Sequence, residues 1–187
     1  MLPPDFIRAV EKRAKCLHSL EDIERALDKM AIEIKADLSE SNPIVLCAMI
    51  GGVVPTGMLL TRLDFPLQVD YVHATRYGLE TKGQQHLEWL VRPRVPLKNR
   101  TVLIVDDILD GGETLAGLIQ FCKDEGATEV KTAVLVDKIR VRPVHAVQKA
   151  DYIGVLVENV FVYGFGMDYK RYLRNAPGIY AVSSEDE

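Results

Sequence analysis

Apolar positions along the chain follow two rhythms, and the switches between them mark the elements. Leu20, Ile23, Leu27, Met30, Ala31, Ile34 and Leu38 recur at steps of three and four, which places them on one helix face. Ser19 stands where that helix needs an N-cap, and Asp22 lies in its first turn. The first forty residues therefore read as helix, and Pro43 marks the change to strand. Residues 44–49 (IVLCAM) are uninterruptedly strand-like, 67–73 alternate loosely, and 101–105 (TVLIV) are apolar and β-branched. Further strands are predicted at 130–136, 152–157 and 179–182. Leu115, Leu118, Ile119 and Cys122 predict a helix over 114–123, stopped by Gly126. Strand, turn, helix and strand in this order make a right-handed βαβ unit. Continuous apolar strands joined by helices predict an α/β fold with a mostly parallel central sheet flanked by helices.

The polar stretches read as connections. Residues 77–88 (YGLETKGQQHLE) predict an exposed loop, 139–150 a basic connection around Pro143, and 183–187 a frayed tail. Residues 41–61 carry no charge and are long enough to span a bilayer. Gly51-Gly52 and Pro55 interrupt them, so a buried strand, a glycine turn and a short helix are expected instead, with no membrane partner. The first fifteen residues carry charges throughout and lack the apolar stretch of a secretory signal.

Composition narrows the class. With 187 residues, 48% of them hydrophobic, one domain can bury a core without disulfides or a structural metal. Cys16, Cys47 and Cys122 are far apart and the four histidines are scattered, which disfavours a zinc site and fits a reducing cytoplasm. A net charge of −4 and a pI near 5.6 argue against a nucleic-acid partner.

The chemistry concentrates in 101–114, TVLIV-DD-ILDGGET. A buried strand is expected to end at Asp106-Asp107, and Asp110, Gly111, Gly112, Glu113 and Thr114 lead into the helix. Ligands of open α/β sheets bind at the carboxyl ends of strands, where this turn must lie. Turn amides, the Thr114 hydroxyl and a helix N-terminus suit a phosphate monoester. Three acids beside a phosphate would repel it unless they serve sugar hydroxyls or a divalent cation. The alternative is that the pair is a solvated turn and Asp110 a helix cap.

This segment resembles the 5-phosphoribosyl-1-pyrophosphate (PRPP) signature of type I phosphoribosyltransferases: hydrophobic strand, acidic pair, a third acid, then a Gly/Thr phosphate loop. Gly111 stands where that signature usually has Thr or Ser. Downstream, Asp137-Lys138, the run KADYIGVLVEN, then Phe161 to Tyr169 (FVYGFGMDY) and Arg174 resemble the carboxyl half of hypoxanthine-guanine phosphoribosyltransferases. The resemblance covers most of 44–182.

It implies the type I phosphoribosyltransferase fold with a small hood formed by terminal segments: helices at about 1–40, a core at about 43–137, and a base-binding hood and C-terminal segment at about 138–182, in one domain. It implies purine salvage, the transfer of phosphoribosyl from PRPP to N9 of hypoxanthine or guanine, with Mg2+ as cofactor and a homodimer or homotetramer. Asp106 and Asp107 would hold the ribose hydroxyls, Asp106 more directly. Asp110 would manage the purine N7 proton, and Asp110, Gly111, Gly112, Glu113 and Thr114 would cradle the 5′-phosphate. Lys138 would donate to the 6-oxo group, Phe161 would stack on the base, and the Val162 backbone would read its edge. Asp168 would help hold magnesium, with Asp106 reaching it through ribose or water. Gly51, Gly52 and Arg174 would meet pyrophosphate.

Two positions depart from the family pattern. Ile50 stands where lysine is common, and Arg76-Tyr77 where a Ser-Tyr pair is common; Arg76 could add a pyrophosphate contact and 77–88 would form the lid. Each downstream residue also has a plainer reading: Lys138 as a strand-end lysine, Phe161 as core, Asp168 as a turn residue, Arg174 as a solvated cation. Two rivals remain. One is transfer to xanthine, uracil or adenine, the last disfavoured because Lys138 complements an oxo group. The other is an RNA-binding regulator on the same fold, using Lys138, Arg140, Arg142 and Lys149.

Overall fold

A computed structural model describes residues 2–77 and 86–187. The expected amino-terminal helix is broken in two. Helix α1 (Pro4–Arg13) stops where Ala14 turns extended, and strand β1 (Lys15–His18) precedes helix α2 (Leu20–Leu38). The cause is tertiary: Lys15 and Cys16 pair with Ala181 and Tyr180 near the other end of the chain, which no local periodicity reveals. Helix α2 starts as expected. The Ser19 side chain accepts from the Asp22 amide and the Asp22 carboxylate accepts from the Ser19 amide, a capping box worth about 1 kcal/mol.

Strand β2 (Ile44–Ala48) is buried along its whole length, and the Gly51-Gly52 turn carries it into helix α3 (Val53–Leu60). There follow β3 (Gln68–Tyr77), β4 (His86–Val91), β5 (Thr101–Leu109), α4 (Glu113–Asp124), β6 (Glu129–Ile139), β7 (Tyr152–Glu158), β8 (Val162–Tyr163) and β9 (Ile179–Ala181). Six strands form the main sheet in the order β4-β3-β2-β5-β6-β7, parallel except for β4. Helices α2 and α3 pack on one face, with Ile23, Leu27, Met30 and Ile34 against Leu103, Leu135 and Val157. Helix α4 covers the other, with Leu115, Leu118 and Cys122 against Ile104, Val134 and Leu46. Strands buried on both faces explain the continuous apolar runs. A second, antiparallel sheet, β1-β9-β8, joins the two terminal segments.

Three expectations need correction. Strand β5 does not end at Val105: it continues to Leu109, because β6 also runs on and pairs Leu109 with Asp137. Part of the expected 77–88 loop is strand β4, while 78–85, and with them the lid, lie outside the described residues. The tail does not fray. Arg13 Nε and Nη2 both donate to the Asp186 carboxylate, which is 4% exposed, and the Tyr169 hydroxyl donates to the Asp186 carbonyl at 2.7 Å. No helix among the described residues is long and apolar enough to cross a membrane.

Candidate functional site

The carboxyl ends of β2, β5 and β6 converge on one edge of the main sheet, and the sequence-predicted residues gather there. Within β5 the Asp107 amide donates to Asp106 Oδ1 at 2.9 Å. Burial pushes the Asp106 carboxyl well above the usual carboxylate range, and the neighbouring Asp107 charge adds to it. Burial raises Asp107 as well, opposed by its contact with Asp106 and by the Arg174 charge. Two acids that resist ionising side by side are relieved by a cation or by hydroxyl donors, which defines the ligand chemistry they favour.

After Asp110 the chain turns through Gly111 and Gly112 into α4. Gly112 has φ +80°, and a Cβ there would stand 2.5 Å from the Val147 carbonyl oxygen, so glycine is required on both counts. The first amides of α4 lack acceptors within the helix, and with the Thr114 hydroxyl they are donors of the kind an anion takes. Glu113 at the same end faces His145 at 3.6 Å.

Asp110 sits between cations. Lys138 Nζ donates to its Oδ2 at 3.0 Å, and Arg140 Nη1 donates to Oδ1. Burial alone would raise this carboxyl; the hydrogen bonds and charges of Lys138 and Arg140 outweigh it and hold the group below the usual range. Lys138, at the end of β6, is buried. The plain reading of a surface lysine is therefore excluded.

A second cluster forms around the glycine turn. An ideal Cβ on Gly51 would stand 1.8 Å from Asp107 Oδ2, so the Asp107 carboxylate lies directly over Gly51. Gly52 is closed in by the Ala48 and Val105 carbonyls, each 2.7 Å from a Cβ built there. The Gly51 carbonyl in turn touches Gly166, where a Cβ would approach it to 2.1 Å. Arg174 binds the same loop, Nη1 to the Gly166 carbonyl and Nη2 to Asp168 Oδ1, while the Arg171 amide donates to Asp168 Oδ2 at 2.6 Å. Arg174 is thus no solvated helix cation. Gly164, Phe165, Gly166, Lys170, Arg171 and Leu173 all have positive φ, a concentration of strained backbone that surrounding bonds must hold. Those bonds include Gly166 N to Arg174 O at 2.9 Å and the reciprocal Tyr169–Tyr172 pair.

Phe161 is 45% exposed, so it is not core; its ring meets Tyr169 edge-on at 6.2 Å. Val162 is buried and pairs with Ala181. Ile50 is 44% exposed beside the turn and brings no charge. The side chain of Arg76 lies outside the described residues, although its backbone pairs with Leu87.

Sequence reasoning missed the Asp110 partner of Arg140, which stays exposed, and the burial of Arg142, treating both as part of a basic surface. Arg140 holds Asp110, and Arg142 is 5% exposed with its guanidinium bound to Asp137. No local signal in the sequence announces this, since Arg140 and Arg142 follow the end of β6 and lie in no strand whose period could set their direction. Lys138 and Arg142 are thereby withdrawn from the basic face an RNA partner would need, while Arg140 and Lys149 stay exposed.

Comparison with known proteins adds the lineage. A family model described as the phosphoribosyl transferase domain matches residues 14–170. The bifunctional protein TilS/HprT of Listeria innocua is 33% identical over 171 residues; these are 91% of this chain, which spans 26% of that relative's length. The hypoxanthine-guanine phosphoribosyltransferase of Streptococcus thermophilus is 31% identical, covering 91% of this chain and 94% of its own. Among solved structures, the L. donovani hypoxanthine-guanine phosphoribosyl transferase superposes with a TM-score of 0.80 at 30% identity, over 91% of this chain and 97% of that one.

Proposed function

For a chain that belongs to the phosphoribosyl transferase domain family, we propose transfer of the 5-phosphoribosyl group from PRPP to N9 of hypoxanthine or guanine, giving IMP or GMP and pyrophosphate. The observation that carries this reading is the Asp110–Lys138 pair, one acceptor and one buried cation at 3.0 Å, beside an anion cradle. A 6-oxopurine offers complementary groups to that pair: O6 for the lysine and the N7 edge for the carboxyl.

In this reading the amides from Gly111 to Thr114 bind the 5′-phosphate, with Glu113 and its His145 neighbour at the rim. Asp106 faces the ribose hydroxyls. Asp107, lying over Gly51 and near Arg174, serves the junction of ribose and pyrophosphate, a shift from the purely ribose role expected of it. Gly51, Gly52 and Arg174 receive pyrophosphate. Phe161 offers its exposed ring to the base, and the backbone at Val162 borders its edge. The acids near the ribose favour the positive charge that builds on its C1 carbon as pyrophosphate departs.

Among the described residues no three His, Cys, Asp or Glu side chains form a ready-made metal centre. Magnesium typically takes one or two carboxylates and completes its shell with substrate oxygens and water, and Asp168 and Asp106 have that oxygen chemistry. Bound there, magnesium would neutralise the leaving pyrophosphate. We take the whole chain to work as one domain, with the β1-β9-β8 sheet as hood, in a cytoplasmic homodimer or homotetramer.

The test is a spectrophotometric base panel with PRPP and magnesium. Conversion of hypoxanthine or guanine, with adenine and uracil unchanged, supports the reading. Preference for xanthine would redirect the specificity, and five inert bases would overturn the transferase assignment.

A further inference from the structure

The segment after β6 forms the back wall of the candidate site. Val147 N donates to the Gly112 carbonyl at 3.2 Å, and Ala146 N closes a turn on the Pro143 carbonyl at 3.0 Å. At its centre the Arg142 guanidinium meets five acceptors. Nε donates to the Asp110 carbonyl at 2.7 Å and Nη1 to the Gln148 carbonyl at 3.0 Å. Nη2 faces the Leu109 and Lys138 carbonyls, each at 2.7 Å, and Asp137 Oδ1. Four of these acceptors are backbone, and they belong to the end of β5, the end of β6 and the wall itself.

We propose that Arg142 is a positioning residue, a guanidinium clamp that locks the carboxyl ends of β5 and β6 together so that the Asp110–Lys138 pair is held at the edge of the base site. The inference rests on the phosphoribosyl-transfer reading for its consequence in turnover. Its geometry is independent of that reading. A planar fork of five N–H donors can serve acceptors on three segments at once, whereas a lysine ammonium offers a single point. Asp137 balances the charge, so the clamp sits in the interior without an unpaired ion.

Two variants separate clamping from mere folding. R142K keeps the charge and loses the fork; the pair R142Q with D137N removes both charges together and so leaves neither buried ion unpaired. The expected result for both is a kcat lowered about 10²-fold, the penalty of misplacing reacting groups by about 1 Å, with the PRPP KM nearly unchanged. In a third variant, R142A, added guanidinium ion at concentrations far below denaturing should restore kcat while ammonium does not. Hydrogen exchange should quicken at the amides of 109–112 and 138–142 and stay unchanged in β2 and β3. Wild-type kcat in both variants, or protection lost evenly across the sheet, overturns the proposal. If wild-type protein leaves every base unaltered while R142K still loosens only those two segments, the transferase reading fails and the clamp stands.

Discussion

Replacing Gly166 by alanine should part the two halves of the cluster proposed to receive pyrophosphate. A Cβ at this position would stand 2.1 Å from the Gly51 carbonyl oxygen, and both partners are backbone, so neither can rotate away. An ordinary carbon–oxygen contact is about 3.3 Å, and the 164–174 loop must therefore retreat from the glycine turn by about 1 Å. Gly166 also has φ +110°, which costs an L-residue about 1–3 kcal/mol. For a chain of this length that corresponds to a Tm lower by about 2–12 °C. Arg174 is tied to the Gly166 carbonyl and Asp168 to Arg174, so both should move with the loop. Steady-state kinetics should show kcat/KM for PRPP down about 10²-fold, with the KM for hypoxanthine within about threefold of wild type. G164A is the matched control. Its φ is +100° and its Cβ would also meet a carbonyl oxygen at 2.1 Å, but that oxygen belongs to Gly178, away from the turn. It should lose comparable stability and keep its PRPP kinetics. Equal PRPP defects in the two variants, or none in G166A, would refute the reasoning.

Other outcomes follow from the same geometry. D110N, which keeps the shape and removes the proton acceptor, should lower kcat about 10²–10⁴-fold while PRPP binding, followed by calorimetry, persists. R140Q should move the acid limb of the kcat/KM profile to higher pH. Lys138 and Arg140 now hold the Asp110 carboxyl below its usual range, so removing one cation raises it and the ionised form is lost sooner as pH falls. An unmoved limb would mean that Asp110 is not the group seen. D186N should lower Tm at neutral pH but not in strong acid. The hydrogen bond and charge of Arg13 depress the Asp186 carboxyl, and such a group contributes stability that is present above its unfolded value and lost as pH drops through the folded one. A Tm difference that stays constant from neutral pH into strong acid would contradict that.

The parts legible in the sequence were those written locally. Ser19 and Asp22 announce their capping box, the runs at 44–48 and 101–105 announce buried parallel strands, and the glycines of 111–112 announce the turn into α4. What was illegible depends on partners far along the chain. Strand β1 exists because of Ala181 and Tyr180, and the tail is ordered because Asp186 meets Arg13. Strand β5 is longer than its apolar core because β6 carries it onward. The fate of Arg142 follows the same rule: a basic residue looks solvated until the fold sets Asp137 beside it. The place of Asp107 was equally illegible, since only the folded chain sets its carboxylate over Gly51.

The account turns on where the phosphorylated sugar docks. A crystal structure with PRPP and magnesium measures this directly. The account predicts the 5′-phosphate on the amides of Gly111 to Thr114, the ribose hydroxyls at Asp106, and the pyrophosphate against Gly51, Gly52 and Arg174. Density for the donor at any other edge of the sheet, with the Gly111–Thr114 turn left empty, would contradict it.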